Sequence, residues 1–538
     1  MHRRAFAVAV SCAAIMLASA AAVRADVRLP TVFGDGMVLQ RDVPIPVWGW
    51  ADPGEEVVVV LSAESNGAAG KSGRSEGPVT LPLGTSGSGP GDSITAPVVT
   101  DAEGRWRVEL RPVPATGIPL LLKVSGRNSI LVKNVLVGDV WFCSGQSNMY
   151  WPVRNSANAK EEMAAADWPQ IRLFEVAKDA AARPREDVYG SWRVCSPQTV
   201  GGFSAAAYYF ARRLHQELNV PIGLIHASWA ASSAHPWTSA EGLAADPKVK
   251  AFAESLMKQT GPSLEKFAQE FEPQWAEWAK AAAQARADGK QPPARPEVSF
   301  KHDVRHVPSA LFNGMVAPLA RMPVKGVIWY QGENDAHRGM FYQSIFESLI
   351  RDWRTQWKQE EMPFLFVQLA SHMARQPQPS ESKWAELRAA QAAATRLPHT
   401  AMACAIDIGE ADNIHPSNKQ DVGLRLALGA LHVAYGKDLV YSGPVLKSWK
   451  ADGGTAVLRF DHVGGGLEVR GERLTGFAVA GPDKKFVWAE ATVKGGTVIV
   501  TSDSVSDVRA VRYAWADNPE CNLYNKERLP AVPFRTDE

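Results

Sequence analysis

The sequence predicts an α/β protein in which a central parallel sheet is accompanied by β modules, and three observations predict it. From about Asn134 to residue 440, short apolar runs alternate with helical stretches, the pattern of strands joined by crossover helices. Before that, from Val27 to about Leu131, strand patterns separated by turn residues dominate. Beyond about Val440 the β pattern returns. The expected division is residues 1–25, 26–133, 134–440 and 441–538.

Residues 1–25 begin with His2-Arg3-Arg4, continue through the apolar run Ala5 to Ala22 and end in Val23-Arg24-Ala25. This is the form of a cleaved export signal, so the mature chain is expected to start at Asp26 and to work in the periplasm or outside the cell. A membrane anchor is the competing reading. The run is short, Ala-rich and followed at once by polar sequence, and no later stretch is long and apolar enough to span a bilayer, so no anchor is expected after cleavage.

In the first module the strand signals are Val43 to Trp50, Glu56 to Leu61 and Gly104 to Leu110, with Asp-Pro-Gly and Asp-Ala-Glu-Gly turns between them, which together suggest a β-sandwich. Residues 62–97 are rich in Gly, Ser and Pro without apolar periodicity and read as a flexible insertion. In the central domain the strands expected are Val135 to Phe142, Ile222 to Ala227, Val324 to Tyr330, Phe364 to Leu369 and Ala401 to Ile406. Residues 239–298, rich in Ala, Glu, Lys and Gln, read as surface helices forming a cap beside the site. In the last module the strands are Thr455 to Phe460, Gly466 to Arg470, Thr497 to Thr501 and Val508 to Tyr513.

Charge narrows the partners. With 58 basic and 57 acidic residues there is no field to draw in nucleic acid or an anionic membrane, so a neutral substrate fits best. Eighteen Trp in an exported chain point to rings that stack on sugars as well as to core packing. Cys143, Cys195, Cys404 and Cys521 match neither a metal site nor a dense disulfide framework, and Cys143, ending an apolar strand, reads as a buried thiol rather than a nucleophile. No cofactor is expected, and no His, Cys or Asp cluster has metal-ligand spacing.

The chemistry concentrates in three loops, each placed after an apolar strand. In Gly138-Asp-Val-Trp-Phe-Cys-Ser-Gly-Gln-Ser147-Asn-Met149, Ser147 falls where the strand must turn, at the sheet edge where open α/β folds gather ligands. A Ser that merely caps a helix is the plain alternative. A serine hydroxyl needs a base, and His415 in Asp412-Asn-Ile-His415-Pro416 is the candidate, with Asp412 three residues earlier placed to orient it and Asp407 in reserve. In Trp329-Tyr-Gln-Gly-Glu-Asn-Asp335, Gly332 permits close backbone approach, and the amides of Gln331 or Asn334 are candidates to hold an oxyanion. Glu333 and Asp335 also invite a glycosidase reading, paired with Asp407 or Asp412, but that leaves the Ser147 and His415 loops unexplained.

These residues resemble the sialate O-acetylesterase family, a branch of the SGNH hydrolases. The likeness rests on Gly-Gln146-Ser147-Asn-Met, Trp-Tyr-Gln-Gly332-Glu-Asn334 and Ile-His415-Pro with Asn418-Lys419, and extends through Met37-Val-Leu-Gln-Arg41, Asn313-Gly-Met315, Arg351-Asp-Trp-Arg354 and Tyr513 to Pro519. The resemblance implies a flavodoxin-like three-layer α/β/α domain with accessory β domains, and metal-free removal of O-acetyl groups from sugars. It implies that Ser147 attacks, His415 carries the proton, and the oxyanion is held by the Ser147 N–H, an N–H near Ala231 and a side-chain amide from Gln331 to Asn334, with Gln146 in the same group. Two departures stand out. Ala230-Ala231-Ser232 replaces the usual Gly-Gly-Thr, which keeps the N–H without strain only if φ is negative, and Asn413 stands where relatives often have Asp. Acetylated sialic acid and an acetylated hemicellulose such as xylan are both open as substrates. Arg154, Arg338 and Arg388 are the candidates to meet a sugar carboxylate. An inactive sugar-binding protein is the reading from another class.

Overall fold

A parallel sheet is covered on both faces, so its strands should be apolar at every position. Ile222–Ser228, Gly326–Tyr330 and Phe364–Gln368 are buried along their whole length. The computed structural model describes residues 26–63, 93–287, 293–294, 296 and 303–537; the expected export signal, most of the Gly/Ser/Pro insertion and the end of the helical insertion lie outside the described residues. The central sheet runs in the order Thr400–Cys404, Phe364–Gln368, Gly326–Tyr330, Ser129–Gly145, Ile222–Ser228, Trp168–Glu175, Trp192–Cys195. All neighbours are parallel except the last pair.

The two faces carry separate cores, because successive strand residues point to opposite sides. Trp141, Ile328 and Leu365 pack with the helices Ala205–Leu218 and Lys419–Val433. Phe142, Val327 and Phe364 pack with the helix Phe341–Trp357. This is the three-layer α/β/α arrangement expected.

Two strands of the sheet, Trp168–Glu175 and Trp192–Cys195, are absent from the sequence expectation. Pro169 and Arg172 interrupt the apolar pattern of the first. Arg172 is nevertheless buried, with its guanidinium donating to the carbonyls of Gly36, Asn134 and Pro169. A buried cation is tolerated when its donors are taken up this way.

The strand Ser129–Gly145 is shared between modules. Its first half pairs antiparallel with Thr116–Ser125 and its middle pairs parallel with Val38–Gln40, while its second half is central to the catalytic sheet. The two ends of the insertion expected at 62–97 are regular strand instead, because Glu56–Ala63 and Ser93–Val99 form an antiparallel pair. The helical insertion contains Ala240–Ala244 and the long helix Pro247–Ala287, whose Trp275 stacks on Tyr189 with ring centroids 4.9 Å apart. Beyond the catalytic domain, Leu458, Val479, Val500 and Val511 share one core with Ile406 of the central domain, so the last β module packs directly on it.

Candidate active site

Register places the loops. Gly145 lies opposite both Tyr330 and Ser228, so three adjacent strands end at one level and release the Ser147, Gln331 and Ala230 segments side by side. The turn at the first of these demands glycine. Gly145 has φ +141°, and a Cβ there would lie 2.1 Å from Tyr330 O. Ser147 then opens the single helical turn Ser147–Tyr150 and is half-buried, with its N–H taken up by no backbone carbonyl. Cys143 is completely buried, and burial pushes its thiol well above the ordinary range, so it is not a competing nucleophile.

His415 arrives from a strand that is not adjacent. The segment after Thr400–Cys404 crosses back over the sheet edge and is tied down by a buried polar layer. Asn148 Nδ2 donates to Ile414 O (2.9 Å) and to a Glu333 carboxylate oxygen. Lys419 Nζ donates to Asn148 Oδ1 (2.7 Å) and to Pro416 O (2.6 Å). One asparagine and one lysine thus join the Ser147 turn, the His415 loop and the Gly332 loop. Burial, partly offset by Glu333 and Glu410, lowers Lys419 to about 7, and burial raises Glu333. The His415 ring stacks on Trp151 at 4.8 Å and 15°. Burial, with the nearby charges of Lys419 and His372, holds the imidazole below its ordinary value, favouring the neutral form a base requires.

The acid expected beside His415 is not there. Asp412 is exposed and makes no hydrogen bond or ion pair among the described residues. The reason is the path of the loop. Asn413 folds its side chain back onto the backbone, with Oδ1 accepting from His415 N–H (3.0 Å) and Nδ2 donating to His415 O (2.8 Å) and to Glu410 (2.9 Å). Glu410 also accepts from the N–H and hydroxyl of Ser417. Burial raises its pKa, but these bonds outweigh it and hold the carboxylate below its usual range. The reserve acid, Asp407, is held by Arg425 at 2.6 and 2.8 Å and accepts from the Tyr524 hydroxyl, so it too serves elsewhere.

The third loop separates two residues expected to share one role. Gln331 is fully buried and spent, since Nε2 donates to Asp335 (2.7 Å) and Ser232 O (3.2 Å) while Oε1 accepts from Tyr342 (2.8 Å). With both amide hydrogens taken, it has no donor left for an oxyanion. Asn334 is half-buried, and its amide donates to Ser233 Oγ (2.8 Å). Gln146 acts on the backbone, its carbonyl accepting from Asn334 N–H (3.3 Å). Of the carboxylates of the glycosidase reading, Asp335 is ion-paired with Arg338 and completely buried, Asp407 is held by Arg425, and Glu333 accepts from Asn148, while Asp412 stands exposed.

His306 was missed. It shares a hydrogen bond with Ser233 Oγ (3.1 Å) and lies 3.6 Å from Asp303, so hydroxyl, imidazole and acid follow in triad order. Ser233, however, has 0% exposure, and no ester can reach it. The signal was the Asp303-Val-Arg-His306 spacing, the same one that singled out His415.

A family model described as carbohydrate esterase, sialic acid-specific acetylesterase, matches residues 294–432, which include the Gly332, His415 and Lys419 segments. The sialate O-acetylesterase of Mus musculus is 30% identical, covering 94% of this chain and 94% of its own length. That of Homo sapiens is 28% identical over 94% and 92%. The crystal structure of a carbohydrate acetylesterase from Xanthomonas citri, 37% identical, covers 95% of this chain and 100% of its own, with a TM-score of 0.77. The chain belongs to the sialate O-acetylesterase family.

In this carbohydrate esterase of the sialate O-acetylesterase family, the Ala230-Ala231-Ser232 turn takes a left-handed backbone. Ala231 has φ +57°, the left-handed conformation of a glycine, so the condition of a negative φ is not met. Ala231 is exposed, and a left-handed backbone costs a residue with a Cβ about 1–2 kcal/mol. Arg305 Nη1, donating to Ala230 O (3.3 Å), holds the turn from outside.

Proposed function

We propose that this chain hydrolyses O-acetyl esters of carbohydrates with Ser147 as nucleophile and His415 as proton carrier. The coarse activity, an esterase that removes O-acetyl groups from carbohydrates, is that of its relatives across nearly the whole chain. The observation that carries the assignment of residues is the polar layer through Asn148 and Lys419, which brings the Ser147 turn and the His415 loop together from strands that are not neighbours.

Ser147 Oγ attacks the acetyl carbonyl as the neutral His415 accepts its proton. The negative oxygen is received by the N–H groups of Ser147 and Ala231 and the amide of Asn334, donors fixed before the reaction. His415 returns the proton to the departing sugar hydroxyl, water attacks the acetyl-serine by the same route, and acetate leaves. In this reading Trp151 fixes the imidazole plane by stacking, and no carboxylate touches the ring among the described residues.

The basic and apolar N-terminus supports export to the periplasm or beyond. Two of the three arginines considered for a sugar carboxylate are engaged. Arg388 is fully buried and donates to four backbone carbonyls, and Arg338 is paired with Asp335. Arg154, the third, is exposed; with the other two engaged, few cations are left to meet a carboxylate, which favours a neutral acetylated glycan over sialic acid. Acetate release from O-acetylated sialic acid, acetylated xylo-oligosaccharides and p-nitrophenyl acetate, by wild type and Ser147→Ala, tests the reading. Ser147→Ala should lose at least about ten-thousandfold in kcat on every ester; equal rates would remove Ser147 from the mechanism, and no acetate release by wild type would leave a sugar-binding protein.

A further inference from the structure

Large apolar side chains left in water mark binding surfaces when they gather in one place. Among the described residues Ile414, Met373 and Trp488 are 37%, 40% and 41% exposed. They come from three separate parts of the chain, and hydrogen bonds connect them. Ile414 immediately precedes His415. Met373 N–H donates to Ala411 O (3.0 Å), on the same loop, and the neighbouring His372 is close enough to His415 to depress its protonation. Four residues further, Pro377 O accepts from Trp488 Nε1 (2.9 Å), which fixes the indole of the last β module against this segment. Met373 and Pro377 lie at most about 14 Å apart along the chain. Three exposed apolar side chains thus stand on hydrogen-bonded segments that run from the histidine loop to the last β module, with Arg375 between Met373 and Pro377 along the chain.

We propose that the strip formed by Ile414, Met373 and Trp488 is a subsite for the neutral glycan chain that carries the acetyl group. The proposal rests on the assignment of Ser147 and His415, and it names the substrate class that the assignment leaves open. Sugar rings offer C–H faces to apolar surfaces while their hydroxyls stay in water, so this surface suits a saccharide longer than one residue. Charge points the same way. Asp412, exposed between Ala411 and Ile414, has no cation partner among the described residues, and the adjacent Arg375 is paired with Glu520 at 3.5 Å. A carboxylate-bearing sugar would meet repulsion here, and a neutral one would not. Because Trp488 is already held by Pro377, little ordering remains to oppose binding.

The test compares wild type with Trp488→Ala and Met373→Ser, both at exposed positions where folding tolerates change. Calorimetry with unacetylated xylo- and gluco-oligosaccharides reads the strip without catalysis, and steady-state deacetylation of acetylated oligosaccharide and p-nitrophenyl acetate reads its use. Each variant should weaken oligosaccharide binding and raise its KM roughly five- to tenfold, the scale of losing one anchoring contact, with p-nitrophenyl acetate kinetics unchanged. No oligosaccharide binding by wild type, unchanged binding in both variants, or a parallel loss on p-nitrophenyl acetate would each overturn the proposal. Failure of the catalytic assignment is seen separately, as ester hydrolysis that survives Ser147→Ala while the calorimetric result stands.

Discussion

The Asp-x-x-His spacing occurs twice at this site, and the two copies behave oppositely. Asp303 and His306 come within 3.6 Å of each other, whereas Asp412 stays in solvent and His415 meets no carboxylate among the described residues. The first pair has the geometry of an acid orienting an imidazole, yet its hydroxyl partner, Ser233, is sealed in the interior. The second lacks the acid but stands at the sheet edge, stacked on Trp151 and tied to the Ser147 turn through Asn148. Spacing permits a contact, and the path of the backbone decides it. At 412–415 the side chain of Asn413 bonds both the N–H and the C=O of His415, turning the loop so that Asp412 faces outward.

The largest effect should separate the two histidines. His415→Ala should reduce kcat by about ten-thousandfold, the scale for a triad member, and His306→Ala by tenfold or less; the reverse order, measured on p-nitrophenyl acetate, would break the comparison. Next comes the buried layer. Lys419→Met should lower kcat about a hundredfold through misplacement of His415, with KM for p-nitrophenyl acetate little changed. It should also move the pH profile. A base must be neutral, so activity rises with pH through the His415 pKa, which burial first and the Lys419 charge second hold below about 6.5. Removing the lysine removes one cause, and the acidic limb should shift upward; a limb that stays in place while kcat falls would make Lys419 merely structural.

Asp412→Asn should change kcat less than about threefold, against about ten-thousandfold for an orienting acid, and a large loss would mean that the loop rearranges when substrate binds. The smallest effect concerns the strained turn. Ala231→Gly should raise stability by about 1 kcal/mol or less, because glycine relieves the left-handed strain but gives back chain entropy on unfolding, and thermal denaturation would show it. Destabilisation instead would show that the turn carries no strain to relieve.

Much of the site was legible because its residues follow apolar strands. Gly145, Ser147 and Gly332 each sit where a period of apolar residues stops and the chain must turn, and His415 lies in the loop that follows another such strand. Their partners were not. Lys419 and Asn148 were visible only as letters of a motif, since nothing local in the sequence says that a lysine will be buried against an asparagine 271 positions away. Gln331 and Asn334 looked equivalent as amides, and only Tyr342, Asp335 and Ser232 closing around the first told them apart. Trp168–Glu175 escaped because its arginine is neutralised by carbonyls from distant segments.

The sequence by itself determined five strands of the central sheet, its flanking β modules and the chain positions of the candidate nucleophile and base, because burial on two faces imposes an apolar period that can be read locally. Tertiary structure alone decided which acid meets which imidazole, which amide is sealed in the interior and where the exposed apolar side chains stand. Those outcomes depend on hydrogen bonds between residues far apart in the chain, whose geometry exists only once the strands have fixed the register of the loops they carry.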